Sequence, residues 1–416
     1  MEKLKIEGNH KLSGTIEIGG AKNSAVALIP AAILSDEVTI NNVPDISDVR
    51  NLKEIISYLG CEFYKEGTKV TINTKKFNNK PITEEYCQKL RASYYFMGAI
   101  LGRYKKVEMY FPGGCKIGAR PIDFHLKAFE QLGAIITKEG NKYLVKAKKL
   151  IGTDIILPIS SVGATVNILL ASVMAEGITT IANAAKEPEV GNLIDFLNSM
   201  GAKIEGKDTD KLTITGVKKL TKGQIDTIPD RIEAGTYIIL GAMVGDNLKI
   251  NNLNPKHLTA LINTMKQMNI NMQVDETSIT ISKAHNIKPV DVKTEIYPGF
   301  PTDLQQPLTS LLALADGTST IEENIYENRF QNIKYLNIMG ANITNQGKKI
   351  TISGPTTYKG TEVVTTDLRA GACLVLAALA AKGETTIKEV KYILRGYENL
   401  VNKLKTVGAS ISLEYK

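Results

Sequence analysis

The segment Ala128-Phe-Glu-Gln-Leu-Gly133 decides the fold class, because related segments recur along the whole chain. An apolar run that closes on glycine, or once on asparagine, occurs six times. The closing residues are separated by 73, 68, 68, 71 and 68 residues, and they are Gly60, Gly133, Gly201, Asn269, Gly340 and Gly408. A short stretch rich in β-branched residues follows these positions and predicts a strand. Self-similarity at a nearly fixed period predicts a repeat architecture.

Two further features keep the same period. A short strand is predicted to end at Ile40, Met109, Ile181, Ile250, Ile321 and Ile387. A helix rich in small apolar residues precedes each strand, over residues 24–34, 92–101, 164–175, 234–244, 304–315 and 370–381. Because these helices are apolar on nearly every face, we expect them to be buried. A more amphipathic helix is predicted between each strand and the next closing residue.

Each repeat is thus predicted to contain two helices and roughly four strands. The chain of 416 residues exceeds the size of a typical single hydrophobic core, so we expect two domains of three repeats each. A six-repeat solenoid is the alternative, and its binding surface would be extended and polar. Helices that are apolar all round fit two compact domains better. The predicted fold class is therefore α/β with two domains.

The composition is that of a soluble globular protein, with 43% hydrophobic and 23% charged residues. The first residues lack the apolar core of a signal peptide. The longest apolar run, Ala370–Ala381, has 12 residues, whereas a membrane helix needs about 18. We therefore expect a cytoplasmic protein that does not enter a membrane.

The net charge of +8 favours an anionic partner. The sequence contains no run of five basic residues and no tryptophan, so a small anionic substrate held by dispersed Lys and Arg is a better interpretation than nucleic-acid binding. The four histidines are dispersed, and so are the cysteines, which are Cys61, Cys87, Cys115 and Cys373. Without any CxxC pair, we expect no disulfide framework and no zinc or iron–sulfur site.

Charged and polar residues interrupt the apolar pattern at equivalent positions of the repeats. One row precedes the buried helices and includes Lys22, Asn23, Arg91, Ser161, Asp230, Arg231, Glu233, Asp303, Asp367 and Arg369. A second row lies between the strand and the outer helix and consists of Arg50, Arg120, Glu189, His257, Arg329 and Arg395. Asp and Ser at a helix start are commonly N-caps, and that interpretation stays open for each single residue. Arginines at a helix start oppose the helix dipole, so several of them together favour a receptacle for phosphate and carboxylate groups.

The second repeat contains the clearest insertion. Its strand and closing residue are 24 residues apart, against 19 to 21 in the other repeats, and the excess falls in the loop PGGCKIGARP (112–121). Its glycines give the backbone freedom, so the loop is a candidate lid over a ligand. Lys116 and Arg120 would favour the thiolate form of Cys115, which predicts a reactive cysteine. The other three cysteines lie in or beside helix patterns, and we expect them to be buried.

Several segments resemble those of the UDP-N-acetylglucosamine 1-carboxyvinyltransferases, a family of enolpyruvyl transferases. They are GGAKNSA (19–25), PGGCKIGARPID (112–123), SSVGATVNI (160–168), EPEVGNL (187–193), FPTDLQQP (300–307), DLRAG (367–371) and LRGYENL (394–400). The resemblance covers the whole chain and implies an inside-out α/β barrel with two domains, each built from three βαβαββ repeats. It implies one domain over residues 21–228 and a discontinuous one over residues 1–20 and 229–416. The active site is implied to lie in the cleft between them.

The resemblance also implies a reaction. The enolpyruvyl group of phosphoenolpyruvate moves to the 3′-hydroxyl of UDP-N-acetylglucosamine, and phosphate is released. This is the first committed step of bacterial peptidoglycan synthesis, which serves cell-wall growth, cell shape and cell division. Neither a metal nor a cofactor is implied, and fosfomycin is implied as a covalent inhibitor. The resemblance implies no nucleic-acid or membrane partner and leaves the oligomeric state open.

Residue roles are implied by the resemblance, position by position. Cys115 is implied as the general acid toward the phosphoenolpyruvate methylene, as the site of a covalent phospholactoyl adduct and as the target of fosfomycin. Asp303 is implied as the general base. The implied phosphoenolpyruvate ligands are Lys22, Asn23, Arg120 and Arg395, of which Lys22 and Arg395 are also catalytic. The implied contacts to the sugar nucleotide are Arg91, Arg120, Pro121, Ile122, Asp123, Phe124, Ser161, Val162, Gly163, Asp303 and Ile325. Further charged residues of the cleft are implied to be Arg329, Asp367 and Arg369.

Two alternative functions stay open. The shikimate-pathway enolpyruvyl transferase is built from the same six repeats but lacks the PGGC loop, so Cys115 argues against it. An RNA-binding or RNA-end-processing repeat protein would explain the basic charge, but it leaves Cys115 and Asp303 without a role. The sequence also departs from some family members at the nucleotide-binding turn. They have a lysine there, whereas Ile159 and Ser160 precede Ser161 in this chain, so the phosphate contacts of this turn stay open.

Overall fold

The structure is a computed structural model, and it describes residues 2–111, 118 and 121–415. The chain divides into two compact units. Apart from the loop 112–120, the first unit contains residues 20–111 and 121–228, and the second contains residues 2–19 and 229–415. Each unit has its own hydrophobic core. Within the described ranges, no helix combines the length and the apolar composition needed to cross a membrane.

The helices of the first unit are α1 Lys22–Ala31, α2 Ser47–Tyr58, α3 Glu84–Lys89, α4 Tyr95–Tyr104, α5 Asp123–Gln131, α6 Val162–Ser172 and α7 Pro188–Ser199. The helices of the second unit are α8 Arg231–Val244, α9 Thr259–Gln267, α10 Thr302–Leu312, α11 Ile333–Ile338, α12 Leu368–Ala380, α13 Lys391–Leu394 and α14 Leu400–Thr406. Short 3-10 helices cover Ala32–Leu34, Arg91–Tyr94 and Pro255–Leu258. The six helices predicted to be buried correspond to α1, α4, α6, α8, α10 and α12, and most of their residues are inaccessible to solvent. That prediction is confirmed.

The strands before α8 are β1 Lys3–Glu7, β2 Leu12–Glu17, β3 Glu37–Asn41, β4 Glu62–Glu66, β5 Lys69–Asn73, β6 Lys106–Tyr110, β7 Ile135–Glu139, β8 Lys142–Lys146, β9 Asp154–Ile156, β10 Ile178–Ala182, β11 Lys203–Glu205, β12 Lys211–Thr215 and β13 Gly223–Asp226. The strands after α8 are β14 Gly245–Asn251, β15 Met272–Val274, β16 Ser278–Ile281, β17 Asp291–Lys293, β18 Thr318–Glu322, β19 Asn342–Gln346, β20 Lys349–Ser353, β21 Glu362–Val364, β22 Glu384–Lys388 and β23 Ser410–Glu414. The six residues predicted as strand ends are each the last but one residue of their strand, and each is fully buried.

Each repeat contributes one small sheet with a common pattern. In the first unit the strand orders are β13-β3-β5-β4, β6-β8-β7 and β11-β12-β10-β9. In the second unit they are β15-β16-β14-β2, β17-β18-β20-β19 and β21-β22-β1-β23. The strand before a buried helix generally runs parallel to the strand after it, as β9 does to β10 across α6, and the remaining pairs are antiparallel. Parallel pairing requires a crossover, which the buried helix supplies.

Two strands pair away from the repeat that the chain order suggests. β2 precedes α1 of the first unit, yet it pairs in parallel with β14 of the second unit's first sheet. β13 precedes α8 of the second unit, yet it pairs in parallel with β3 of the first unit. β1 lies between β22 and β23, so the beginning and the end of the chain share one sheet.

The six closing residues share a backbone conformation that ends the outer helices. Their φ angles are 82°, 97°, 95°, 64°, 107° and 98° for Gly60, Gly133, Gly201, Asn269, Gly340 and Gly408. Glycine adopts positive φ without a Cβ clash, and asparagine is the residue that most often replaces it there. The next residue donates its N–H back to the helix, as Ala134 N does to Phe129 O at 2.9 Å. The choice of Asn269 as the fourth marker is therefore confirmed.

Two details of the second repeat differ from the prediction. The helix expected over 92–101 is a 3-10 turn at Arg91–Tyr94 followed by α4, which continues to Tyr104 and stops where Lys105 adopts φ 59°. The sheet of this repeat has three strands among the described residues, rather than roughly four, and the fourth is reduced to a bridge between Ile82 and Met109. Pro81 cannot donate a backbone hydrogen bond and α3 begins soon afterwards, so little chain is left to pair.

Candidate active site

Lys22 is the first residue of α1 and pairs with a buried carboxylate. Its Nζ lies 3.0 Å from Oδ2 of Asp48, which stands in the first turn of α2. The side chains of Lys22 and Asp48 are 14% and 1% exposed. None of the side chains that the structure describes caps α1, so its first amides add positive potential beside the ammonium group. Lys22 and Asn23 therefore occupy a helix end that favours an anion.

Arg91 opens the 3-10 turn before α4 and packs on aromatic rings. Its guanidinium carbon lies 5.7 Å from the ring centroid of Tyr94 and 5.9 Å from that of Phe111. Aromatic faces attract a guanidinium at this distance and orient its plane. The position of Arg91 is thus fixed by the packing of the first unit.

Two segments predicted to contact the sugar nucleotide meet at the starts of neighbouring helices. Residues 121–124 lead into α5, which begins at Asp123, and residues 161–163 lead into α6. Ser161 is the N-cap of α6, and its Oγ accepts a hydrogen bond from Ala164 N at 3.3 Å. A Cβ added at Gly163 would lie 2.8 Å from Tyr94 Oη and 3.0 Å from His125 Cε1, so a side chain there would have to displace these groups. The structure therefore brings these two segments together within the first unit.

His125 joins α5 to α6 through a buried hydrogen-bond chain. Gly98 N donates to Oδ1 of Asn167 at 2.9 Å, which leaves Nδ2 of Asn167 facing Nδ1 of His125 at 2.8 Å. Because an amide nitrogen donates, Nδ1 accepts and the ring proton resides on Nε2. Burial, together with the positive charge of Arg91, lowers the pKa of His125 to about 3, so the ring is neutral at physiological pH.

Asp303 lies between two buried arginines in the second unit. Its Oδ1 accepts from Nη2 of Arg329 at 2.6 Å, and its Oδ2 accepts from Nη2 of Arg369 at 2.9 Å. The two arginine side chains are 3% and 5% exposed, whereas that of Asp303 is 25% exposed. Burial raises the pKa of Asp303, but the two guanidinium groups outweigh it and hold the pKa well below its usual range. Asp303 is therefore ionised at neutral pH and keeps an accessible edge.

The two arginines are held in turn by further polar groups. Nη1 of Arg329 donates to Oγ1 of Thr302 at 3.0 Å, and Nη1 of Arg369 donates to Oη of Tyr397 at 3.2 Å. Fixed partners of this kind orient a charged group before any ligand arrives. The structure thus brings together Asp303, Arg329 and Arg369, whose contacts the sequence did not predict.

Asp367 acts as a helix cap, which corrects the receptacle interpretation for α12. Its Oδ1 accepts from the backbone N of Arg369 at 2.9 Å and of Ala370 at 3.0 Å. Asp230 caps α8 in the same way. At these two helix ends the carboxylate is the anion that the amides bind, so the common N-cap interpretation is correct for Asp230 and Asp367.

Ile325 lies in a loop that follows β18 and is half-buried. Its backbone N donates to Oε1 of Glu323 at 2.8 Å, and that of Tyr326 donates to the same atom at 3.2 Å. A buried carboxylate therefore shapes the loop that carries Ile325.

Some of the remaining predicted residues lie outside the part of the chain that the structure describes. Arg395 stands at the C-terminal end of α13 and is half-buried. Cys115 and Arg120 fall outside the described residues, so their predicted roles stay predictions. Cys61, Cys87 and Cys373 are buried, as expected. Burial raises the pKa of these thiols to about 12, 11 and 12 respectively.

Comparisons with known proteins identify the family. A family model described as EPSP synthase (3-phosphoshikimate 1-carboxyvinyltransferase) matches residues 6–404. The chain belongs to the enolpyruvyl transferase family. The structure of the enolpyruvyl transferase NikO from Streptomyces tendae is similar with a TM-score of 0.91, at 26% identity over 99% of each chain. The EPSP synthase of Acinetobacter baumannii has the same fold, with a TM-score of 0.75 at 19% identity over 100% of each chain. The predicted α/β enolpyruvyl transferase fold is confirmed.

Full-length relatives of this enolpyruvyl transferase have a more specific name. Proteins called UDP-N-acetylglucosamine 1-carboxyvinyltransferase 2 from Listeria monocytogenes and Bacillus subtilis are each 48% identical to it, covering 99% of this chain and 97% and 96% of theirs. A UDP-N-acetylglucosamine 1-carboxyvinyltransferase from Clostridium botulinum is 46% identical, covering 99% of both chains. The resemblance stated from sequence motifs is therefore confirmed, and these relatives favour it over the RNA-binding alternative.

Sequence reasoning missed several residues that support the site of this enolpyruvyl transferase. It gave no role to His125, Asn167 or Glu323, because a polar residue next to an apolar pattern does not reveal its partner. It named Glu233 in the row of charged residues before the buried helices but did not predict its partners. Oε1 of Glu233 accepts from Nζ of Lys403 at 2.7 Å and Oε2 accepts from Gly19 N at 3.1 Å, while burial raises its pKa to about 7 and Lys403 opposes that shift. Among the described residues, no group of three or more His, Cys, Asp or Glu is arranged to hold a metal ion.

Proposed function

We propose that this enolpyruvyl transferase moves the enolpyruvyl group of phosphoenolpyruvate to the 3′-hydroxyl of UDP-N-acetylglucosamine and releases phosphate. The observation that carries the proposal is the identity of 46 to 48%, over 99% of the chain, with proteins named for that activity. The PGGC loop supports the same acceptor, because the shikimate enzyme lacks it. The reaction is the first committed step of peptidoglycan synthesis. Buried free thiols fit a reducing compartment, so we place it in the cytoplasm.

The reaction requires one proton donor, one proton acceptor and several cations. Cys115 donates a proton to the methylene carbon of phosphoenolpyruvate as the 3′-oxygen bonds to the adjacent carbon, and Asp303 takes the hydroxyl proton. The resulting tetrahedral adduct then loses phosphate from that carbon, and the thiolate left on Cys115 takes back a proton from the new methyl group. The product is the enolpyruvyl ether. Cys115 also forms the phospholactoyl adduct when its thiol adds across the C=C double bond of phosphoenolpyruvate, so that the sulfur bonds to the same carbon and a proton goes to the methylene carbon.

Asp303 suits the acceptor role through its charge. Its two arginines keep it ionised, so it can accept a hydrogen bond from the 3′-hydroxyl in the resting complex. The same arginines make it a weak base. Proton transfer therefore follows bonding to the electrophilic carbon, which makes the hydroxyl acidic.

The anionic groups of both substrates are assigned to cations and helix ends. Lys22 at the start of α1, with Asn23, Arg120 and Arg395, binds the phosphate and carboxylate of phosphoenolpyruvate. Arg91 and the starts of α5 and α6, which include residues 121–124 and 161–163, bind the uridine diphosphate. Ile325 contacts the sugar nucleotide through an apolar surface. Arg329, Asp367 and Arg369 complete the charged site around Asp303.

The test is phosphate release from phosphoenolpyruvate in the presence of UDP-N-acetylglucosamine. Wild type should release phosphate, and Cys115→Ala should lose at least about a hundredfold in kcat, because a positioned general acid contributes that much. Cys115→Asp keeps a proton donor without the nucleophilic sulfur, so it should stay active and resist fosfomycin. Shikimate 3-phosphate is the matched alternative acceptor. Its turnover in place of UDP-N-acetylglucosamine, or a folded wild type without phosphate release, would overturn the proposal.

A further inference from the structure

Glu323 is a buried carboxylate that holds four neutral donors from three segments of the second unit. Oε1 accepts from Oγ1 of Thr294 at 2.9 Å, from Ile325 N at 2.8 Å and from Tyr326 N at 3.2 Å. Oε2 accepts from Oγ1 of Thr302 at 2.8 Å. The residue is 1% exposed, so it does not itself meet solvent. Hydrogen bonds to an ionised carboxylate are among the stronger ones, and several of them fix the segments that supply the donors.

One set of these bonds shapes the loop after β18. The amides of Ile325 and Tyr326 both point at Oε1, and Asn324 N donates to Oγ1 of Thr294 at 2.9 Å. The Thr294 hydroxyl therefore accepts from the loop and donates to Glu323. Three successive backbone amides of the loop are thus fixed directly or indirectly by one carboxylate. The side chain of Ile325 is presented by this loop.

The hydrogen bond from Thr302 to Glu323 connects Glu323 to Asp303, with Thr302 and Arg329 between them. Thr302 and Asp303 are the first two residues of α10. The hydroxyl of Thr302 donates to Glu323, so its lone pair is turned toward Nη1 of Arg329, which donates to it at 3.0 Å. The other terminal nitrogen of Arg329 donates to Oδ1 of Asp303 at 2.6 Å. A hydroxyl whose proton is already committed can only accept from the guanidinium.

We propose that Glu323 is a positioning residue for the acceptor substrate, which sets both the Ile325 loop and the Arg329–Asp303 pair. This rests on the proposed function, because that function assigns Ile325 and Asp303 to the sugar nucleotide. The four direct bonds of Glu323 go to Thr294, Thr302, Ile325 and Tyr326. None of these residues is assigned to phosphoenolpyruvate. Glu323 therefore acts on one substrate and not on the other.

The experiment compares steady-state kinetics of wild type, Glu323→Gln, Thr302→Val and Thr302→Ser. In Glu323→Gln one carboxylate oxygen becomes a donor that faces another donor, so the loop shifts. We expect KM for UDP-N-acetylglucosamine to rise and kcat to fall by about tenfold or more each, because displacements of about 1 Å at a site cost up to a hundredfold. KM for phosphoenolpyruvate should stay within about twofold. Thr302→Val should lower kcat, and it should raise KM for UDP-N-acetylglucosamine less than Glu323→Gln does. Thr302→Ser keeps the hydroxyl and should restore kcat.

Ser319→Ala is the matched control. Ser319 lies on β18, is fully buried, and its Oγ accepts from Val290 N at 3.2 Å, so the variant removes a hydrogen bond of a buried side chain in the same region. Its kinetic constants should equal those of wild type. If wild type is active and folded Glu323→Gln has unchanged constants, or if both KM values rise together, the inference is overturned. Should Glu323→Gln fail to fold, Thr302→Val is the deciding variant. An unchanged kcat in folded Thr302→Val would then overturn the inference. A wild type without phosphate release instead refutes the proposed function.

Discussion

His125 is a neutral, buried side chain, and this makes the stability of the enzyme depend on pH. Its pKa is lowered to about 3 by burial and by Arg91, whereas in an unfolded chain it is about 6.5. The unfolded state therefore binds one more proton between these two values. The stabilising contribution of the neutral ring is complete above pH 6.5 and is lost as the pH falls toward 3.

The variant His125→Gln tests this dependence. The wild type should have a higher free energy of unfolding than the variant at pH 7.5. This difference should shrink by about 2 kcal/mol between pH 7.5 and pH 5, because one proton contributes about 1.4 kcal/mol per pH unit. Urea unfolding at the two pH values measures it. His285→Gln is the control, since His285 is exposed. A difference that does not change with pH would show that His125 is charged, or accessible to protons, in the folded state.

The site residues divide into those that sequence could predict and those that it could not. Asp303, Lys22 and Arg369 break an apolar pattern at a helix start, and a repeated interruption is visible without a structure. Their contacts were not visible. Whether a carboxylate at a helix start caps its own helix, as Asp367 does, or faces a distant arginine, as Asp303 does, depends on side-chain direction. Periodicity carries no such information.

At the scale of elements, the closing residues illustrate how one backbone angle ends six helices. The φ angle is 97° at Gly133 and 64° at Asn269. The left-handed helical well lies near 57°, where asparagine is tolerated, and larger values suit glycine alone. A Cβ at Gly133 would lie 3.5 Å from Lys149 O, so the local space is adequate and only the backbone angle opposes a side chain.

A pair of substitutions separates these effects. Gly133→Ala should lower the free energy of unfolding by about 1–2 kcal/mol, the cost of a left-handed residue with a Cβ. Asn269→Gly should change it by less than about 0.5 kcal/mol, because glycine adopts the same angle and asparagine loses little on leaving. Urea unfolding at neutral pH measures both. Equal effects of the two variants would mean that the closing residues differ in packing and not in backbone conformation.

The helix starts show where element-level prediction stopped. The sequence placed a similar helix in each repeat, but the structure divides them by their caps. Side chains of Ser161, Asp230 and Asp367 cap α6, α8 and α12, whereas none of the described side chains caps α1, α4 or α10. The residues assigned to catalysis, Lys22 and Asp303, stand on two of these three helices without such a cap. Whether a side chain caps a helix depends on its rotamer, and a pattern shared by six repeats does not predict the rotamer of one residue.

At the scale of the whole molecule, the order of the strands along the chain does not by itself give the order in which they pair. Counting repeats predicts three per unit, and that number follows from period and core size alone. It does not predict that β2 and β13 pair with β14 and β3 across the order of the chain. Equivalent strands of different repeats have the same alternation of apolar residues. The alternation pattern alone therefore does not distinguish between these pairings.

The distribution of thiols over the molecule gives a prediction for the intact enzyme. Cys61, Cys87 and Cys373 are 5%, 0% and 0% exposed, and burial raises the pKa of these thiols to about 12, 11 and 12, so their reactive thiolate forms are scarce at neutral pH. Lys116 and Arg120 follow Cys115 closely in sequence, and we expect their charges to favour its thiolate. A thiol reagent should therefore add one label per native chain, at Cys115, and four labels per chain in denaturant. Intact-mass and peptide mass spectrometry count and locate the labels.

Cys115→Ala should take up none while native, and bound UDP-N-acetylglucosamine with fosfomycin should block the single site in wild type. Labelling of Cys61, Cys87 or Cys373 at the rate of Cys115 would contradict the burial of these thiols, and a slow Cys115 would contradict its assignment as the reactive cysteine.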